Sequence, residues 1–296
     1  MAISHRTVPM TASRKASAQP QPLITHLRQK LSLVERTTGL AGECGACVKL
    51  GIGVIDAALG GGLACGALHE FAAARETETP CATSFALAVT TRLLSQSCRF
   101  ANGRSSGHPA EGMESTGRAV LWISDDLSLF ENGVPYGPGL DETGVAPERL
   151  ITVTAPHFRD ALWAMEEALR CRVVGAVIGE IRTRAVEQIV MRRLSLAAAA
   201  SGTLGVVLRP LPDNEPSTFA TRWIIEAAPS LHFSSSQKSP GIGPPRLAAR
   251  LVRNRRGHLG EWIVEWNSVE QRFELATDSE SMAGAPFDRP NRAAMG

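Results

Sequence analysis

The sequence contains very little lysine. Four lysines stand against 27 arginines among the 296 residues, and the 188 residues from Leu50 to Gln237 contain no lysine at all. A phosphate loop that supports ATP hydrolysis needs a lysine that reaches the β- and γ-phosphates, next to a hydroxyl that ligates magnesium. Any nucleotide site built from this stretch would lack its main catalytic cation. The sequence therefore predicts a protein that is not an enzyme.

Cysteine pairing, long apolar runs and a secretion signal are also missing. The six cysteines are scattered, and Cys44 and Cys47 form a single C-x-x-C pair with no second pair at zinc-site spacing. No run approaches the roughly 18 apolar residues of a membrane helix. Residues 1–22 contain no apolar segment of the signal-peptide kind. These absences predict a reducing, cytoplasmic location with no metal, cofactor or membrane contact.

Positive charge is concentrated in one late segment. The net charge of the chain is only +2, but residues 246–256 carry five arginines and no acid. These arginines are Arg246, Arg250, Arg253, Arg255 and Arg256. Guanidinium groups suit both phosphate backbones and acidic protein surfaces, so we predict a contact surface for DNA or for a protein partner. The alternative is a charged face that only meets solvent.

The apolar pattern predicts an α/β fold with a mostly parallel sheet flanked by helices. Short apolar segments alternate with helical patterns, as in crossover-connected parallel strands. The predicted strands are 67–72, 119–124, 150–153, 173–178, 204–208 and 223–227, and the main predicted helices are 82–94, 158–170 and 185–200. Residues 246–254 and 260–266 alternate as a β-hairpin does, and the five arginines lie on and around it.

The chain is predicted to have three parts. Residues 1–45 form a basic, disordered segment with an N-terminal helix, residues 46–270 form the core with its C-terminal hairpin, and residues 271–296 form a disordered tail. The helix carries an apolar stripe that includes Leu27, Leu31 and Val34. Such a helix either docks on another protein or packs on its own domain.

A degenerate nucleotide pocket is predicted at the carboxyl ends of the parallel strands, where such folds bind ligands. After Phe71 the chain continues Ala-Ala-Ala-Arg-Glu-Thr-Glu-Thr-Pro-Cys, with no Gly-Lys pair. Acidic Glu76 and Glu78 repel phosphate, and alanines replace the glycines that let a loop approach it closely. We predict at most a weak pocket, with candidate residues Arg75, Thr83, Ser84, Asp126 and Glu180.

These candidates have different chemical roles. Arg75 is a cation without the geometry of the missing lysine, and Thr83 and Ser84 are hydroxyls at the start of the following helix. Asp126 and Glu180 are carboxylates at strand ends. The alternative for a strand-end acid is a helix cap or a solvated loop residue, and we prefer this alternative for Asp125.

The order of these segments resembles the RecA-like recombinase core and, within it, the ImuA family. The lead-in Gly51-Ile-Gly-Val-Ile-Asp-Ala-Ala-Leu-Gly-Gly-Gly-Leu63 is similar to the recombinase turn before the phosphate-loop strand. Arg192-Arg-Leu-Ser-Leu-Ala-Ala-Ala-Ala-Ser-Gly202, Ala220-Thr-Arg-Trp223 and Leu251-Val-Arg-Asn-Arg-Arg-Gly257 fit the ImuA family in particular. The resemblance spans about residues 48–266. It places Glu180 near the magnesium-binding aspartate of recombinases and Asp126 near their water-activating glutamate.

The resemblance implies a non-catalytic accessory or scaffold protein of SOS-induced mutagenic translesion DNA synthesis. It implies an ImuB-like polymerase relative as a partner, an error-prone C-family polymerase reached through the same complex, and contact with RecA. Direct DNA contact stays open. One alternative is a nucleotide-dependent RecA-like ATPase or recombinase, which the missing lysine opposes. The other is a SulA-like cell-division inhibitor, in which the arginine hairpin has no evident role.

Overall fold

The computed structural model of the chain describes residues 46–102, 118–182, 187–211, 218–230 and 244–276, with side chains left out at 97–102. The predicted N-terminal helix with Leu27, Leu31 and Val34 lies outside these ranges. None of the helices in the described ranges is long and apolar enough to cross a bilayer.

Eleven strands occur in the described part of the chain. They are β1 (Cys47–Val48), β2 (Leu63–Ala64), β3 (Leu68–Ala73), β4 (Ala119–Asp125), β5 (Leu150–Ala155), β6 (Val174–Glu180), β7 (Leu204–Arg209), β8 (Thr221–Ala228), β9 (Arg246–Asn254), β10 (Gly260–Asn267) and β11 (Arg272–Leu275). β1 and β2 form a small antiparallel ribbon, and the other nine form one sheet in the order β11-β10-β9-β8-β3-β7-β6-β4-β5.

The sheet has a parallel part and an antiparallel part. Strands β8, β3, β7, β6, β4 and β5 are parallel to one another. Strands β9, β10 and β11 continue the sheet in antiparallel fashion beyond β8. The predicted α/β class, the mostly parallel sheet and the C-terminal hairpin are therefore confirmed.

Six α-helices cover the sheet in the described ranges. They are α1 (Gly53–Ala58), α2 (Thr79–Asn102), α3 (Asp126–Asn132), α4 (Gly137–Thr143), α5 (Phe158–Arg170) and α6 (Gln188–Ser201). Helices α1 and α2 pack on one face of the sheet, and α5 and α6 pack on the other. On α5, the residues Leu162, Met165 and Leu169 recur at helical spacing and are buried. Each predicted strand and main helix overlaps an observed element.

The tail boundary predicted from the sequence was placed too early. The tail was predicted to begin at residue 271, but β11 runs over Arg272–Leu275 and pairs with β10. Phe273 in this strand is buried, and its ring centroid lies 5.1 Å from that of Phe85 on α2. Phe85 also contacts Phe71 and Trp223, so β11 closes an aromatic cluster in the core.

Candidate functional site

A cleft of about 420 Å³ opens at the carboxyl ends of β4 and β6, beside the first turns of α2. This is the edge at which open α/β sheets bind their ligands. Three of the five predicted pocket residues line it, namely Thr83, Ser84 and Glu180. Arg75 and Asp126 do not line it, and both have exposed side chains.

The connection between β3 and α2 differs from a phosphate-binding loop in its backbone. The N–H of Ala74 donates to the carbonyl oxygen of Ile225 at 3.0 Å, so the chain still pairs with β8 after β3 ends. A short 3-10 helix over Glu76–Glu78 then leads directly into α2. The second residue of α2 is Pro80, which has no N–H to offer an anion. The connection therefore presents few of the backbone donors that cradle phosphates.

Side chains of the same connection are also unsuited to a nucleotide. The hydroxyl of Thr79 donates to the carbonyl of Glu76 at 2.7 Å, and that of Ser84 donates to Pro80 at 2.8 Å. Glu78 contributes a carboxylate oxygen that is buried from solvent. Two like charges 4 Å apart repel by about 4 kcal/mol at the effective dielectric near a protein surface. The carboxylates of Glu76 and Glu78 therefore oppose the binding of a triphosphate.

Glu180 is held in the cleft as a hydrogen-bond acceptor. Asn132 donates to its Oε1 at 2.5 Å, while Trp122 Nε1 and Ser124 Oγ donate to its Oε2 at 3.3 and 3.2 Å. Burial raises the pKa of Glu180, and these three hydrogen bonds partly oppose that rise. Among the described residues, no three His, Cys, Asp or Glu side chains gather as a metal site would need. The carboxylate therefore connects β6 to β4 and α3.

The neighbouring acids at the end of β4 divide into one buried cap and one exposed side chain. Asp125 Oδ1 accepts a hydrogen bond from the backbone N–H of Ser128 at 2.8 Å and caps α3. Asp126, a predicted pocket residue, lies in the first turn of α3 and is exposed. Of the two roles expected for Asp125, a helix cap or a solvated loop residue, the structure shows the cap.

The cap should contribute measurably to stability. We expect Asp125→Ala to lower the free energy of unfolding by about 1–2 kcal/mol, because it leaves a helix N–H without its acceptor. Asp126→Ala is the matched control and should change stability by less than about 0.5 kcal/mol. Urea unfolding followed by circular dichroism would measure both variants. Equal losses in the two variants would contradict the capping role.

The five hairpin arginines do not form one surface. Arg246 begins β9, is 6% exposed and forms an ion pair with Glu265 at 2.5 Å. Arg250 lies in the middle of β9 opposite Glu261 and is exposed. The prediction that Arg246 is a contact residue is therefore wrong, because its guanidinium is buried and paired with Glu265.

The remaining arginines cluster at the far end of the hairpin. Arg253 lies opposite Arg222 of β8, and burial together with Arg255 and Arg222 lowers its pKa. Arg255 and Arg256 occupy the turn and are exposed. This end of the sheet is opposite the cleft, because β8 runs parallel to β3 and its first residues pair with the end of β9.

The hairpin turn is hydrogen-bonded to the C-terminal end of α1. Asn254 Nδ2 and the backbone N–H of His258 donate to the carbonyl oxygen of Ala58, at 2.8 and 3.2 Å. A Cβ on Gly257 would lie only 2.0 Å from that same oxygen, so the close approach requires glycine. The exposed arginines of the turn are thus carried on a backbone with fixed contacts.

Sequence reasoning missed a buried polar cluster in the middle of the sheet. Glu70 of β3 is fully buried between two arginines, Arg222 and Arg209, and its ion pair with Arg209 spans 3.3 Å. The adjacent His69 is also fully buried; its Nε2 donates to the carbonyl of Ala64 at 3.0 Å, and its Nδ1 lies 2.7 Å from Thr221 Oγ1. The signal was present, because a His-Glu pair interrupts an otherwise apolar strand.

No protein-family model matches the chain. The chain is similar to the protein ImuA of Caulobacter vibrioides in each of two strains, with 33% identity over 217 residues that cover 70% of this chain and 77% of the relative. Among solved structures, it is similar to the crystal structure of the RadB recombinase. That match has a TM-score of 0.48 and 14% identity, and it covers 78% of this chain and 100% of the other.

Proposed function

Because the chain belongs to the ImuA family, we propose that it is a non-catalytic accessory protein of SOS-induced mutagenic translesion DNA synthesis. It acts by holding other proteins together. Its proposed partners are an ImuB-type polymerase-like protein, an error-prone C-family polymerase reached through that protein, and RecA. The proposed site of action is the cytoplasm.

One observation supports the non-catalytic part above the others. The cleft lies where an ATPase of this topology would hold its nucleotide, yet the connection that enters it carries acids and a proline where phosphate donors are needed. The acid at the end of β6 is occupied by three neutral donors. Neither the phosphate grip nor a magnesium site can be assembled from these residues without rearrangement.

Nucleotide calorimetry tests this part of the proposal. Titration of ATP with magnesium into the purified chain should give no heat of binding up to millimolar concentration, and phosphate release should equal that of buffer. The same titration in the presence of single-stranded DNA tests for ATP binding that requires the chain to assemble on the DNA. Micromolar affinity with magnesium-dependent turnover would favour the ATPase alternative instead.

Two surfaces are proposed for the contacts with partners. One is the end of the hairpin with Arg255 and Arg256, whose exposed guanidinium groups suit acidic protein surfaces and phosphates. The other is the N-terminal helix with Leu27, Leu31 and Val34, whose apolar stripe suits a groove on another protein.

The hairpin surface gives a prediction that also separates its two targets. Arg255→Ala together with Arg256→Ala should weaken one interaction by roughly tenfold, since exposed charges at an interface mainly set association rates. If the target is DNA, the slope of log K against log salt should become shallower by about 1 for each phosphate that the variant no longer binds. Arg192→Ala, an exposed arginine of α6, is the control. Unchanged binding to both an ImuB-type protein and DNA would contradict this role.

A further inference from the structure

The segment between β4 and β5 exposes an unusual amount of apolar surface beside the cleft. Leu127, Phe130, Val134 and Tyr136 are 55%, 88%, 63% and 73% exposed, and they fall within ten residues of one another. We call these four residues the α3–α4 patch. Single exposed apolar residues are ordinary, whereas a local group of them is typical of a surface that another molecule covers.

Two of the four patch residues line the cleft, and Phe130 is next in sequence to Glu131, which also lines it. Val134 and Tyr136 line the cleft itself, between Asn132 of α3 and Leu140 of α4. Leu127 and Phe130 lie one turn apart on α3, so they occupy the same side of that helix. Trp122 adds a second aromatic side chain to the cleft wall. A ligand in the cleft would therefore also meet aromatic surface at its opening.

The charges around the cleft favour a positively charged ligand. Carboxylates of Glu131 and Glu180 line the cleft, and Glu76, Glu78 and Asp126 stand on the two segments that border it. Against these five acids, the same described segments and the end of β6 carry Arg75 and Arg182. Arg182 is already paired with Glu131 at 2.5 Å.

Glu180 is the buried carboxylate that lines the cleft, and Arg182 is a charged group that already acts on it. Its hydrogen-bond donors are an amide, an indole and a hydroxyl, all neutral, while the residue is 4% exposed. A guanidinium or ammonium group entering the cleft would meet this carboxylate in partly desolvated surroundings, where charge-assisted hydrogen bonds are strongest. The aromatic rings nearby would favour the same cation.

We propose that the cleft and the α3–α4 patch together bind a segment of a protein partner in which an arginine or lysine is flanked by apolar side chains. The cation enters the cleft toward Glu180, and the flanking side chains cover Phe130, Val134 and Tyr136. This proposal rests on the accessory function proposed above, because it gives the cleft a protein ligand where an ATPase would hold its nucleotide. A nucleic acid is disfavoured at this site by its acids.

A substitution that adds positive charge to the patch tests the proposal in the full chain. Phe130→Arg should weaken binding to a purified ImuB-type protein at least tenfold, because it removes apolar surface and repels a cationic segment. Phe130→Asp removes the same surface with the opposite charge and should weaken binding less. Trp163→Arg is the matched control, since Trp163 is 63% exposed on α5, away from the cleft, and should leave binding unchanged. Thermal unfolding of each variant checks that the fold is kept.

A second probe keeps the test independent of the partner's identity. A fluorescein-labelled peptide of alternating arginine and leucine should bind the wild-type chain and the Trp163→Arg variant, and lose binding to Phe130→Arg. A peptide of alternating glutamate and leucine should not bind. If the ImuB-type protein fails to bind the wild type, that part of the proposed function is wrong, while the peptides still decide the chemistry of the cleft. Equal binding of both peptides, an unaffected Phe130→Arg variant, or displacement of the cationic peptide by ATP would each overturn the inference.

Discussion

Replacement of Glu70 by alanine is expected to lower the free energy of unfolding by about 3–5 kcal/mol. Glu70 is completely buried in β3, and it pairs with Arg209 at the end of β7 and Arg222 near the start of β8. Both arginines are themselves less than 10% exposed. Without the carboxylate, two guanidinium groups would stay in a desolvated part of the sheet and lose their shared counter-charge. Most of the loss in stability comes from leaving two buried guanidinium groups without a counter-charge, and less comes from the loss of their attraction to Glu70.

The experiment compares this variant with an exposed pair. Glu167 forms an ion pair with Arg170 at 2.6 Å, and both side chains are about half exposed. Glu167→Ala should therefore cost less than about 1 kcal/mol. Guanidinium unfolding at neutral pH would give both values, with the slope of the transition as a check on compactness. A loss of stability below about 1 kcal/mol for Glu70→Ala would show that the arginines find other acceptors and that the cluster is not structural.

Acid should destabilise the fold through His69 by about 3 kcal/mol. The pKa of this imidazole is lowered from 6.5 to about 4, chiefly by burial; the hydrogen bond to Ala64 opposes the shift, and the nearby Arg256 adds to it. The folded chain therefore keeps His69 neutral down to about pH 4, whereas the unfolded chain protonates it below about 6.5. The unfolded state binds the extra proton in that window. The contribution of neutral His69 to stability is fully present above about pH 6.5 and is lost as the pH falls toward about 4.

The size of this effect follows from linkage. A difference of about 2.5 pKa units corresponds to roughly 3 kcal/mol at 1.36 kcal/mol per unit. Carboxylates also contribute to acid sensitivity, so the measurement is a difference between variants. His69→Gln can keep a donor toward Ala64 and an acceptor toward Thr221, and it should flatten the stability profile between about pH 6.5 and 4. His157→Gln, at an exposed position, is the control. A profile for His69→Gln that is parallel to the wild type would contradict the assignment.

Much of the fold could be predicted from apolar patterns, because they report burial directly. Val174–Glu180 is apolar up to its last residue, and it is the central strand β6, buried on both faces. Helices α3 and α4 were not predicted, since residues 126–143 contain three glycines and two prolines and show no apolar period. Helix α3 depends on the Asp125 cap and on packing against β4 and β5, and α4 packs against α2; a local pattern reveals none of these contacts.

The candidate site was predictable in position but only partly in composition. The strand-end rule placed Glu180 at the carboxyl edge, where the cleft is found. The same rule also placed Asp126 in the pocket, although its side chain is exposed, since a difference of one residue decides whether a strand-end acid turns inward as Asp125 does. Arg246 was grouped with Arg255 by proximity in sequence, although an extended strand carries them to opposite ends of the hairpin. The Glu70 cluster joins residues that are far apart in the sequence, and no local signal pairs them.

The fixed backbone of the arginine turn lowers the conformational-entropy cost that a partner must offset in order to bind there. Ordering a mobile loop costs about 1–2 kcal/mol of conformational entropy for each residue. The hydrogen bonds to Ala58 and the tight contact at Gly257 have already ordered this turn during folding. A partner that binds Arg255 and Arg256 therefore has to order only their side chains, and not the backbone of the turn. The turn is therefore preorganised for recognition, and a modest interface at this end of the sheet can hold a partner without first having to shape the surface that it binds.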